Sequence, residues 1–285
     1  MARQDGGSHQ FLMRGFFFQR LTARVFTADP DGWLLKGGQA LLVRYPGGAR
    51  LSKDIDLQRL TGTTEEALDA LLMAAALDLR DHMRFVPQAV RLQGTDGDGI
   101  NQTFDVYIGL NKIDSIRVDL VTNKTVTAQP ADFRLMPRPD VPWPTDWPRV
   151  RLYPVVDHLA DKICAMYEWH NGSIPSSRFR DLADILLIGQ NEVVAAIDAH
   201  HALHAEAAYR RARTSATELR LPTVFEMPAQ TWRAGYGKAA KEVAGLNGCA
   251  TWDEAAPAAD AFITPLLGAP FTGTWYPDKA EWVRE

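Results

Sequence analysis

Cysteine is nearly missing from this chain: Cys164 and Cys249 are the only two in 285 residues, too few for a disulfide-framed secreted scaffold or a metal site built from thiolates. A reducing, cytoplasmic setting is the expectation. Long apolar runs are missing too. The longest, starting at Leu71, is about half the ~20 residues a membrane span needs and meets Asp78 and Arg80, so no membrane span is expected. The apolar stretch at Phe16, Phe17 and Phe18 is interrupted by Arg14, Gly15 and Arg20, which reads as an amphipathic helix and not an export signal. No repeat of fixed period is present, which excludes a solenoid. Charge of one sign is not in excess: 31 basic against 35 acidic residues give a net charge of −4. Bulk charge therefore supplies no affinity for phosphate backbones or anionic membranes, and an RNA end would need a local basic patch.

What is present is an ordered globular composition, 46% hydrophobic and 23% charged, long enough for about two domains. Prolines 137, 139, 142, 144 and 148 preclude a regular helix or a central strand. The resulting division is an α/β (α+β) domain over 1–136, a Pro-rich connector over 137–148, and a mainly helical domain over 149–285. In the first, GWLLKGGQALLVRY predicts a strand, a glycine turn and a helix, and LSKDIDLQRL predicts a strand with alternating faces. A helix capped by Thr63 or Thr64 follows, then two strand segments, QTFDVYIGL and SIRVDLV. The link NKID is too short for a crossover helix, so these two strands should be antiparallel within a mixed sheet.

The sharpest chemistry lies in residues 36 to 58. Asp54 and Asp56 are two apart, and a period of two puts both carboxylates on one strand face while Ile55 and Leu57 enter the core. Two close carboxylates repel, and a divalent cation removes the penalty; Mg²⁺ suits oxygen ligands and substrate phosphates. Without a metal, the same pair reads as the solvated edge of an amphipathic strand. Gly37 and Gly38, between strand and helix, can turn backbone N–H groups toward phosphate or serve chain reversal alone. Asp119 in IRVDLV is the candidate third acid, able also to accept a proton from an attacking hydroxyl, with Asp105 in TFDVY the competitor. Beyond the connector, YPVVDHLADKICAMYEWH and SRFRDLADILLIGQ read as two helices that carry Lys162 and Asp184 to nearly the same height. Asp181 shares a helical face with Asp184. The alternatives there are a surface ion-pair network and a phosphate-contacting lysine paired to an acid.

The ordered set LKGG, SKDIDLQ, YPVVDHLADKICAMYEW and RFRDLADILLI resembles the AbiEii/AbiGii toxin family of nucleotidyltransferases over roughly residues 30 to 190. The resemblance implies a nucleotidyltransferase-like mixed sheet with flanking helices, akin to the polymerase-β-like superfamily, followed by a mainly helical part. By the family's motifs, Gly37, Gly38 and Ser52 would position phosphate oxygens. Asp54 and Asp56, with Asp119, would hold Mg²⁺ on an NTP, while Lys162 with Asp181 and Asp184 would complete the site. It further implies a cognate antitoxin as partner, a place in a toxin–antitoxin or phage-defence pair, and transfer of an NMP to RNA, with the tRNA 3′ end foremost. A phosphotransferase, a protein nucleotidyltransferase and a non-enzymatic binding protein are the competing classes. Candidate RNA contacts are Arg44, Arg50, Arg149, Arg151, Arg178 and Arg180, with Arg210, Arg211 and Arg213 more remote.

Overall fold

The computed structural model describes residues 9–93, 99–135, 147–213 and 217–285. The chain forms two compact units: 1–44, 51–125 and 130–153 make the first, and 45–50, 126–129 and 154–285 the second.

Unit one contains α1 (His9–Ala28), β1 (Trp33–Lys36), α2 (Gly37–Arg44), β2 (Ile55–Arg59), α3 (Thr64–Ala75), β3 (Met83–Pro87), β4 (Arg91–Gln93), β5 (Gly99–Ile108), β6 (Asn111–Val121), β7 (Ala131–Arg134) and β8 (Arg149–Leu152). The sheet runs β3-β5-β6-β2-β1-β8-β7, with β4 also on β5. It is mixed, as expected: β2 with β6 and β1 with β8 are parallel, whereas β5 and β6 form the expected antiparallel hairpin. Alternation builds the core. Ile55, Leu57, Val118, Leu120, Ile100 and Phe104 are buried on one face, where Ala67, Leu71 and Ala74 of α3 recur at helical spacing in the same cluster. Thr63 is the cap of α3: its hydroxyl accepts from the Glu66 amide at 3.2 Å, and its own N–H donates to the Glu66 carboxylate at 2.7 Å.

Two expectations need correction. The first helix is not amphipathic, because residues 16–26 are buried on every side, Arg20 and Arg24 included. Asp81, itself buried, makes this tolerable. It accepts from Arg20 Nε at 2.7 Å and from Arg24 Nη1 and Nη2 at 2.8 and 2.6 Å, while Arg20 stacks on Trp147 and Arg24 on Phe85. The domain boundary is also displaced. Arg149–Leu152 pairs with β1 and β7, so the sheet unit continues to Tyr153 and α4 begins after Pro154. Of the Pro-rich connector, residues 136–146 lie outside the described residues; next to it, the Leu135 N–H donates to the Pro148 carbonyl at 3.0 Å.

Unit two contains α4 (Val155–Met166), β9 (Glu168–His170), β10 (Ile174–Pro175), α5 (Phe179–Gly189), β11 (Val194–Ala195), α6 (Ala196–Ala212), β12 (Thr217–Leu219), α7 (Trp232–Ala240), α8 (Trp252–Leu267), β13 (Gly273–Tyr276) and β14 (Glu281–Arg284). The expected helices at 155–166, 179–189 and 196–212 are there, beside two small three-stranded sheets. The segments 45–50 and 126–129 belong here: Gly245 N–H donates to the Gly48 carbonyl at 2.9 Å, and the Thr127 and Ala128 amides donate to Asp157. Among the described residues no helix is long and apolar enough to cross a membrane.

Asp81→Ala should destabilise unit one by about 3–5 kcal/mol, because two buried guanidiniums lose their counterion. Burial raises the Asp81 pKa, but hydrogen bonds and charge from Arg24 and Arg20 win and hold it below its ordinary value. Its contribution is therefore fully present above the ordinary carboxylate range and is lost as pH falls through the depressed pKa. Urea unfolding of wild type and variant from neutral pH downward measures both; a variant within about 1 kcal/mol of wild type would contradict this role.

Candidate active site

The acids sit on the face of the unit-one sheet opposite the apolar core. Register places Lys36 against Asp56, Asp56 against Asp119, Asp119 against Asn101 and Asn101 against Arg91. Directly paired residues project to the same side of a sheet, so these five form a row running across β1, β2, β6, β5 and β4. Asn101 Nδ2 donates to Asp119 Oδ1 at 2.6 Å, fixing that carboxylate. Asp105 faces Ser115 instead, accepting from its hydroxyl at 2.6 Å and from Lys112 at 2.8 Å. The acid beside Asp56 is thus Asp119.

Asp54 lies just ahead of β2 and not within it. The Ser52 hydroxyl, 2.9 Å from the Asp54 carbonyl and 3.3 Å from its carboxylate, ties the approach to the strand. Gly37 opens α2 at φ +57°, and a Cβ there would overlap the Asp56 carboxylate; a Cβ on Gly38 would lie 2.9 Å from the Ser52 hydroxyl. Glycine is required at position 37 by both backbone and space. Strand β1, the glycine turn, Ser52, Asp54 and Asp56 therefore form one local unit.

Arg117 joins the acids. Its Nη2 donates to Asp54 Oδ2 at 2.7 Å, and its Nε lies 3.2 Å from Asp119 Oδ1. The hydrogen bond from Asp54 and the charges of Asp119 and Asp56 hold the guanidinium above its ordinary pKa. Three carboxylates converging on one positive charge form an oxygen-only, hard donor set, whose chemistry fits a divalent cation such as Mg²⁺. As the side chains stand, no group of three or more His, Cys, Asp or Glu among the described residues closes around a metal; Arg117 holds Asp54 and Asp119.

Unit two carries a separate charge ladder. Lys162 Nζ donates to Asp181 Oδ1 at 2.9 Å and to Asp184 Oδ2 at 2.7 Å. Arg50 engages Asp184 through two hydrogen bonds of 3.1 and 2.9 Å, and Arg178 reaches Asp181 at 3.2 Å. Lys162, Asp181 and Asp184 are buried, so this is no surface ion-pair network. Burial lowers the Lys162 pKa and raises that of Asp181. Their mutual attraction, with Asp184 acting on the lysine and Arg178 on the acid, prevails: Lys162 is raised and Asp181 lowered.

Several arginines proposed as RNA contacts are engaged elsewhere, by acids that sequence alone does not place beside them. Arg50 holds Asp184, Arg151 pairs with Asp31, Arg180 with Glu242, and Arg210 with Asp161, Glu168 and Glu206. Sequence reasoning missed Lys36, Asn101 and Arg117. Arg117 had a signal, since it lies two residues before Asp119 and period two puts both on one face; Asn101 and Lys36 depend on strand pairing.

A family model described as the nucleotidyl transferase AbiEii toxin of type IV toxin–antitoxin systems matches residues 20–257. No protein of curated function matches the sequence. Among solved structures, the fold is similar to MenT4, a nucleotidyltransferase toxin from Mycobacterium tuberculosis, at 15% identity and TM-score 0.54, covering 89% of this chain and 90% of that one. JHP933 from Helicobacter pylori aligns at 13% identity and TM-score 0.44, with 83% and 93% covered.

Gly37→Ala should cost more than Gly47→Ala. Both positions have positive φ, but Gly47 has open space around it, whereas Gly37 abuts Asp56. The left-handed backbone alone accounts for about 1–2 kcal/mol; the excess at position 37 should shrink when Asp56→Ala is added, a coupling that thermal or urea unfolding of the double-mutant cycle measures. Equal costs at the two glycines would refute the close approach.

Proposed function

The chain belongs to the AbiEii family of nucleotidyl transferase toxins of type IV toxin–antitoxin systems, and from that premise we propose that it transfers an NMP from an NTP to the 3′ end of an RNA, with tRNA as the foremost acceptor and Mg²⁺ as the metal. As a toxin of this family, it has a cognate antitoxin for partner. The observation that carries the reading is the register that sets Asp56 beside Asp119, with Asp54 at the same guanidinium and the Gly37 turn against Asp56.

Asp54, Asp56 and Asp119 are the residues that would hold Mg²⁺. When bound, the ion would screen triphosphate charge and make the acceptor hydroxyl more acidic. Asp119 takes the hydroxyl proton. The freed oxygen bonds to the α-phosphorus, the bond from that phosphorus to the bridging oxygen breaks, and pyrophosphate leaves with the electron pair. Gly37 and Gly38 contribute backbone N–H groups to phosphate oxygens, while Ser52 orients Asp54. Lys162 is assigned to phosphate charge: of its three N–H donors, Asp181 and Asp184 take two and fix its direction. Adding nucleotides to a tRNA 3′ end would block aminoacylation, which accounts for toxicity in a toxin–antitoxin or phage-defence setting.

Asp54→Ala and Asp56→Ala should each abolish Mg²⁺-dependent pyrophosphate release while circular dichroism stays native; wild-type turnover in either would sink the metal role. Incubation with each labelled NTP and total RNA, followed by sequencing, identifies the acceptor. Label on protein, or a nucleoside diphosphate product in place of pyrophosphate, would replace RNA nucleotidyl transfer with protein nucleotidylation or phosphotransfer. Lys162→Ala should lower kcat about a hundredfold, the effect of losing one charge-stabilising donor of roughly 3 kcal/mol. The comparison is made below the variant's unfolding midpoint, because Asp181 and Asp184 lose their shared counterion; a folded variant within about twofold of wild type would remove Lys162 from the phosphates.

A further inference from the structure

The polar face of unit one is hollowed beyond Asp119. A cavity of about 480 Å³ is lined by Gln88, Ala89, Arg91, Asn101, Thr103 and Arg117. Its floor is the outward-facing set of β5: Asn101 is paired with Asp119 on one side and Arg91 on the other, and Thr103 is paired with Arg117. The walls are held in place. Gln88 donates through Nε2 to Asp105 at 3.0 Å, and its backbone carbonyl accepts from Gln102 Nε2 at 2.9 Å.

The lining is chemically one-sided. It offers two guanidiniums, two carboxamides and a hydroxyl, and no carboxylate. Arg117 divides its charge among the acids, whereas Arg91 is exposed and makes no ion pair among the described residues. A guanidinium without a counterion, at the rim of a donor-rich hollow, matches the planar, bidentate demand of a phosphate.

Position decides which phosphate. Along the row Lys36, Asp56, Asp119, Asn101, Arg91, the glycine turn stands at the Lys36 end and the hollow at the Arg91 end, with the acids between them. A triphosphate at the glycine turn leaves the far side of the acids to the attacking chain. Strand β4 is two strands from β6, about 10 Å at ordinary spacing, an interval suited to a phosphate just 5′ of a terminal sugar whose hydroxyl lies at Asp119. We propose that this hollow binds a backbone phosphodiester of the single-stranded RNA acceptor through Arg91 and Arg117. The proposal rests on the nucleotidyl-transfer reading above and adds to it the acceptor subsite.

The test separates the two. Binding of a fluorescent single-stranded RNA oligonucleotide to the full chain, in EDTA and without NTP, is followed by anisotropy across a salt series. Arg91→Glu should weaken binding about tenfold or more, as expected for loss of a charged hydrogen bond, and should flatten the salt dependence by about 0.7 in log–log slope for the lost contact. Arg91→Lys, which keeps the charge, should retain the slope. In turnover, Arg91→Glu should raise the KM for RNA and not that for NTP. Unchanged affinity and slope in a folded Arg91→Glu variant overturn the subsite even if transfer to RNA occurs. Arg91-dependent binding by a protein that releases no pyrophosphate with any RNA supports the subsite and removes the transfer reading. Labelling of protein alone, without oligonucleotide binding, overturns the subsite.

Discussion

The parallel pairing of β2 with β6 is the constraint on which unit one depends, because it sets Asp56 directly opposite Asp119. Two like charges about 5 Å apart repel by roughly 3 kcal/mol at an effective dielectric near 20, a cost that a sheet carrying only these acids would bear unrelieved. The same register supplies the relief. Lys36 is paired with Asp56 from the other side, and Arg117, one alternation before Asp119, reaches both Asp54 and Asp119. The site is thus a place where negative charge is concentrated and then held by exchangeable positive charge, which is what a metal–triphosphate substrate requires.

That concentration is possible because the opposite face of the same strands is apolar. Ile55, Leu57, Val118 and Leu120 are fully buried, and a slip of one residue in either strand would turn acids into the core and aliphatics outward. Hydrophobic burial therefore specifies the polar row as firmly as it specifies the core. The glycine turn adds a second lock, since the Asp56 carboxylate fills the space where any other residue at position 37 would carry its Cβ.

This division explains what was legible in the sequence. Features set by local period were readable: the DID pair, Asp119, the glycine turn, the cap at Thr63, the β5–β6 hairpin and the helices bearing Lys162 and Asp184. Features set by pairing between distant segments were not. Asn101 reaches Asp119 from a neighbouring strand, and Asp81 turns an apparently amphipathic helix into a buried one by accepting both of its arginines. The proline-rich stretch marks a break in regular structure, yet β8 returns to the sheet after it, so composition located an irregular segment and not the edge of a unit. Arg50 was readable as a basic residue, but its partnership with Asp184 was not.

The two charged clusters differ in what they can do with protons. In the ladder, Arg50, Lys162 and Arg178 outnumber Asp181 and Asp184, and each carboxylate lies between two cations. Lys162 is raised and Asp181 lowered, so both keep their charge across the neutral range. Such a cluster is a fixed positive element: it can stabilise phosphate charge, but it has no group poised to accept or release a proton. The unit-one acids have the opposite composition, with three carboxylates against an exposed, mobile guanidinium. Proton transfer from an acceptor hydroxyl therefore falls to Asp119, the acid at the boundary between the row's two ends, while the ladder's contribution is electrostatic alone.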